Sequence, residues 1–108
     1  MILVSISRVR PAKVDLLRSW MEELNRRADE VRETFRQEGT THETAYLLEC
    51  GSDTLLVHVM EAEDPERARR AFERSSLPID LQHRRVMQEV HGGTVEAEKL
   101  LDVRVRPG

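Results

Sequence analysis

HETAYLLEC (His42–Cys50), GSD (Gly51–Asp53) and TLLVHVMEA (Thr54–Ala62) make up the stretch that decides the fold. Two runs rich in strand-forming residues flank a Gly-Ser-Asp cluster, which is the pattern of a β-hairpin. A three-residue turn sets Tyr46 opposite His58, Leu48 opposite Leu56 and Glu43 opposite Glu61. On that pairing Leu47, Val57 and Val59 share one face while Leu48, Leu56 and Met60 share the other, so both faces are apolar. A one-residue slip would exchange every one of these assignments, because side chains alternate strictly along a strand.

Working outward, Ile2 to Val9 reads as a strand, with Val4 and Ile6 on one face and Ser5 and Ser7 on the other. From Ala12 to Glu38 the residues Val14, Leu17, Met21, Leu24, Ala28, Val31 and Phe35 recur at spacings of three and four, one helical stripe. That helix would be about 40 Å long at 1.5 Å per residue, so its distal half is expected to need a partner beyond one short sheet. Beyond the hairpin, Asp64-Pro65-Glu66 carries an N-cap, a proline at the first helical position and an acid at the positive end of the dipole. The helix it opens pauses at Ser75–Pro78 and resumes to a stop at Gly92-Gly93. Thr94 to Val105 then supplies a last strand with Val95, Ala97, Leu101, Val103 and Val105 in phase.

The order βαββαβ in a single domain over residues 1–108 implies an α+β fold, a four-stranded antiparallel sheet with both helical crossovers on one face in order 4-1-3-2, the ferredoxin-like arrangement. Helices on one face leave the other bare. Because the hairpin is apolar on both faces, a homodimer packed sheet against sheet is expected.

Composition narrows the partners. Leu, Ile, Val and Phe supply 28 of 108 residues, enough for a folded core. The 17 basic and 20 acidic residues nearly balance, and with four aromatics there is no basic, aromatic-interleaved stripe for nucleic acid. Arg outnumbers Lys 15 to 2, a bias that coding composition accounts for as well as anion binding does. No apolar run is long enough to cross a membrane, no leader-like segment opens the chain, and Cys50 has no partner for an internal disulfide, so a cytoplasmic setting is expected.

Few polar residues stand out. Asp80 and His83, three apart on one helix, can meet on one face, where a carboxylate orients an imidazole for general-base work; equally, Asp80 can cap a helix restarted after Pro78. His42, Tyr46 and His58 share a surface on the three-residue-turn pairing and offer two imidazoles and a phenol to a ligand, or to an interface. Trp20 lies beside the helical stripe, available to plug the core, meet a partner or line a cavity. The four histidines have no metal-site spacing, and no phosphate loop or nucleophile elbow occurs, so no metal or cofactor is expected.

The overall pattern resembles the dimeric α+β barrel superfamily, which includes antibiotic biosynthesis monooxygenases, muconolactone isomerases and stress-responsive barrel proteins. More narrowly, ETAYLLE (Glu43–Glu49), VMEAED (Val59–Asp64) and PIDLQH (Pro78–His83) look like an uncharacterised bacterial family of that type. The resemblance implies two sheets packed in a dimer and, in the enzymes, a pocket between sheet and helices; no catalytic motif carries over. The expectation is a small-molecule-binding barrel, a cofactor-free isomerase or monooxygenase in which Asp80 orients His83 as the catalytic pair and His42, Tyr46, His58 and Trp20 bind the ligand. Its alternative is a non-catalytic dimeric interaction or regulatory module.

Overall fold

β1 (Ile2–Val9) leads through a 3-10 turn (Pro11–Lys13) into α1 (Val14–Arg26) and α2 (Ala28–Glu38). The hairpin β2 (Thr40–Cys50) and β3 (Asp53–Ala62), the helices α3 (Pro65–Arg74) and α4 (Pro78–Val90), and the short β4 (His91–Val95) follow. A computed structural model describes residues 1–106 of the chain. The four strands form one antiparallel sheet in the order β2-β3-β1-β4.

The single helix expected over Ala12–Glu38 is two. Arg27 leaves helical geometry at φ −101°, ψ 36°, although its N–H still donates to the carbonyls of Glu23 and Leu24. The break answers the length problem: α1 packs on α4, while α2 packs on α3 and β2, so both halves find cover inside the domain. No Gly or Pro marks Arg27, and the apolar stripe runs through it unbroken. Gly39, at φ 77°, ends α2 in the left-handed conformation that a Cβ disfavours. At α3 the Asp64 carboxylate accepts from the Arg67 N–H at 3.2 Å, the expected cap.

The hairpin turn has two residues, Gly51 and Ser52, with Cys50 paired to Asp53. Gly51 sits at φ 62°, as two-residue hairpin turns with a glycine in first position require. This is the one-residue slip from the three-residue reading, and it corrects the faces. Tyr46 pairs with Val57, Ala45 with His58, Leu47 with Leu56, and Glu43 with Met60 rather than Glu61. Tyr46 and His42 therefore lie on the face opposite His58. Both faces stay apolar, with their members exchanged.

One face, carrying Val9, Leu47 and Leu56, closes on the helices, where Leu17 and Val90 complete the buried core. The other presents Ile2, Val4, Tyr46 and Leu48, each more than 40% exposed, around the half-buried Ile6, Val57 and Val59. β4 pairs with β1 only at Ile6, Ser7 and Val9 and stops at Val95, so residues 96–105 of the expected last strand are not in the sheet.

Candidate functional site

The core fills one end of the space between sheet and helices, and at the other end a cavity of about 270 Å³ remains. Leu3, Met60, Leu24, Val31, Phe35 and Phe72 give it apolar walls, into which Glu38, Glu43, His58, Asp80 and His83 converge. A neighbouring groove of about 520 Å³ shares Glu43, His58 and His83 with it and opens along the β2 edge at Ala45 and Tyr46.

α4 begins at Pro78 and turns Ile79 and Asp80 inward, both buried. Asp80 is only 2% exposed, and its Oδ2 accepts from Thr34 Oγ1 on α2 at 2.5 Å. Its part in the helix start is not that of a side-chain cap, since Leu77 holds the N-cap position and no side chain caps it. One turn on, His83 Nδ1 accepts from Trp20 Nε1 at 2.7 Å, with Phe72 edge-on to its ring at 5.6 Å. An indole nitrogen only donates, so Nδ1 is unprotonated and the neutral ring carries its proton on Nε2. Burial, helped by the nearby His58 and opposed by Asp80, pushes His83 down to about 4. Among the described residues no hydrogen bond joins Asp80 to His83; the indole, not the carboxylate, sets this imidazole's tautomer.

Glu38 is the residue the sequence reading missed. It is 7% exposed, accepts from Thr40 Oγ1 at 3.3 Å, and burial together with Asp80 and Glu43 pushes its carboxyl up to about 7. A signal existed: Val31, Phe35 and Glu38 continue the four-then-three spacing of the inward stripe, placing an acid where the next apolar residue belongs. Glu43, on the helix-facing side of β2, is also raised by burial, and His58 is lowered by it. Arg69 contributes a guanidinium to the cavity wall, where Glu66 and Glu73 both hold it.

The residues singled out in sequence thus separate. His58, Asp80 and His83 line the cavity; Trp20 stands behind His83, buried; Tyr46 borders the outer groove; His42 is paired with Glu61 on the open face and borders neither space. Among the described residues no group of three or more His, Cys, Asp or Glu is placed to hold a metal ion, and no helix is long and apolar enough to cross a membrane.

At neutral pH this arrangement places two uncharged imidazoles and a carboxyl divided between its two protonation states around an apolar space. A group with its pKa near the working pH is the best placed to both take and return a proton. Comparison with known proteins finds one family model, described as a family of unknown function, DUF6176, which matches residues 2–106. No curated protein and no solved structure matches the chain.

Proposed function

The chain belongs to the family of unknown function DUF6176, and from its site we propose that it binds a small organic molecule between sheet and helices and moves a proton on it, as a cofactor-independent isomerase. The carrying observation is the convergence of Glu38, near pH 7, with His83 and His58 on one apolar cavity. A site of about 150 Å³ holds a benzene, so 270 Å³ admits a substituted ring or a short branched chain. Three acidic side chains, Glu38, Glu43 and Asp80, line the space, and the Arg69 guanidinium there is already paired, which favours a neutral or cationic ligand over an anion. Glu38 takes the proton and returns it at a neighbouring atom, and His83 donates from Nε2 to a ligand oxygen where charge develops.

The setting we propose is a cytoplasmic ferredoxin-like domain in a dimeric α+β barrel. The sheet order and the bare apolar face support that arrangement, and so does the resemblance of its sequence. The same bare face also favours a second reading, a dimeric module without catalysis, in which the cavity is incidental. A thermal-shift panel of neutral, cationic and anionic ring compounds separates the two. We expect neutral or cationic compounds to raise Tm in the wild type, and the shift to shrink in His83→Ala. A panel that leaves Tm unmoved throughout rejects the ligand site and leaves the module.

A further inference from the structure

We infer that the cavity takes an organic ammonium, a protonated amine on a ring or a short hydrocarbon body, whose N–H groups meet the unbonded carboxylate oxygens of Glu38 and Asp80. This rests on the ligand site proposed above and names the class of molecule it holds. Both acids are buried, Glu38 at 7% and Asp80 at 2% exposure, and each gives only one oxygen to a protein donor. Glu38 Oε1 accepts from Thr40 at 3.3 Å, and Asp80 Oδ2 accepts from Thr34 at 2.5 Å. Among the described residues neither Glu38 Oε2 nor Asp80 Oδ1 has a donor, yet no buried side-chain oxygen or nitrogen is left without one, so protein does not seal these two in. Both residues line the cavity, which is therefore what the two oxygens open onto. Thr34 and Glu38 lie one turn apart on α2, so the hydroxyl that holds Asp80 also brings it beside Glu38.

Buried carboxylates are costly unless a cation or a set of donors answers them. Among the described residues no Lys, Arg or His forms an ion pair with Glu38, Glu43 or Asp80. Arg69 on the cavity wall is held by Glu66 and Glu73 instead, and burial keeps His58 and His83 neutral. A proton on Glu38, which burial, Asp80 and Glu43 raise to about 7, relieves the crowding where a cation would. An anionic ligand would add negative charge to this end of the space, and a neutral one would leave the acids unanswered. A metal ion is not the match either, because no three of the ligating side chains among the described residues are placed to hold one. An ammonium carries several N–H donors that can reach separate carboxylates, and its hydrocarbon body meets the apolar walls at Leu24, Val31, Phe35, Met60 and Phe72.

The test titrates benzylamine, benzyl alcohol and benzoate, probes that share one ring and nearly one size, into the full chain. It is run at about pH 8, one unit above Glu38, where that acid is mostly ionised and benzylamine still carries its proton. Calorimetry should find benzylamine bound about tenfold or more tightly than benzyl alcohol, since it adds charge-assisted hydrogen bonds, and benzoate bound most weakly. Glu38→Gln should remove about tenfold of the benzylamine affinity while leaving benzyl alcohol within about twofold. Glu43→Gln, at a half-buried position, should shift the same ratio in the same sense, and it preserves the comparison if Gln at position 38 disturbs the fold. Equal affinities for benzylamine and benzyl alcohol, or tighter binding of benzoate, refute the ammonium and leave the ligand site standing. A benzylamine preference that survives both variants refutes its placement at these acids. Failure of all three probes to bind at millimolar concentration refutes this inference together with the ligand site it rests on.

Discussion

Replacing Glu38 by Gln should uncover a pH dependence of stability that the wild-type chain conceals. In the folded state Glu38 titrates near 7 rather than at its ordinary 4.5, because burial and two neighbouring carboxylates penalise its charge. The folded protein therefore holds a proton that the unfolded chain releases above pH 4.5, and stability falls as pH rises from 4.5 to 7. At 1.36 kcal/mol per unit the loss reaches about 3 kcal/mol. His83 works in the opposite sense. Lowered from 6.5 to about 4, it leaves the unfolded chain holding the extra proton in that range. Stability accordingly rises through it by about 3 kcal/mol. Between pH 4.5 and 6.5 the two slopes cancel, and their combined contribution in the wild type is nearly flat. Gln keeps a carbonyl to accept from Thr40 while removing the ionisation, so Glu38→Gln should match the wild type near pH 4 and exceed it by about 3 kcal/mol at pH 8. Urea unfolding at fixed protein concentration, repeated at each half-unit of pH, measures the difference. A variant-minus-wild-type difference that grows by less than about 1 kcal/mol over that range refutes the buried, carboxylate-crowded account of Glu38.

Trp20→Phe removes the donor to His83 Nδ1, and nitrogen chemical shifts of His83 should move from a pure Nε2–H tautomer to a mixture, with about 1 kcal/mol lost. Thr34→Val strips Asp80 of its hydroxyl donor while nearly preserving shape, and should cost about 1–3 kcal/mol in urea unfolding at pH 7, much of it recovered when Asp80→Asn is added. Val59→Asp, on the open face, should yield a folded monomer by light scattering, while Leu56→Asp on the helix-facing side should fail to fold, as judged by circular dichroism. Asp64→Ala should lower stability by about 1 kcal/mol through loss of the cap on α3, with ligand-induced Tm shifts unchanged.

What the sequence made legible is what a short-range pattern can carry. The cap at Asp64 and the proline that follows it act on residues within one turn, so their placement needed no knowledge of the rest of the chain. Hairpin register is a sharper case: Gly51-Ser52-Asp53 admits two- and three-residue turns, and the choice between them carries Tyr46 and His42 away from His58 altogether. The last strand failed for a different reason. Leu101, Val103 and Val105 alternate as a strand does, but alternation is a local pattern and does not state whether a neighbouring strand is there to pair with, and all three are exposed.

The candidate site divides along the same line. Asp80 and His83 share a helix, so their proximity was visible, yet the partners that fix them, Thr34 and Trp20, lie 46 and 63 residues away along the chain. A pattern of period three or four has no access to such pairings. Each link also changes the chemistry: Trp20 makes the imidazole a donor through Nε2, and Thr34 occupies the carboxylate that a local reading would have assigned to the imidazole. In the proposed reaction the proton carrier is instead Glu38, which burial, together with its tertiary neighbours Asp80 and Glu43 from α4 and β2, raises to about 7. A local pair in sequence is thus broken into two long-range pairs, and the acid beside Asp80 is raised first by burial and then by its carboxylate neighbours. That is why the Glu38→Gln titration, rather than any change at Asp80, is the most direct probe of how the cavity works.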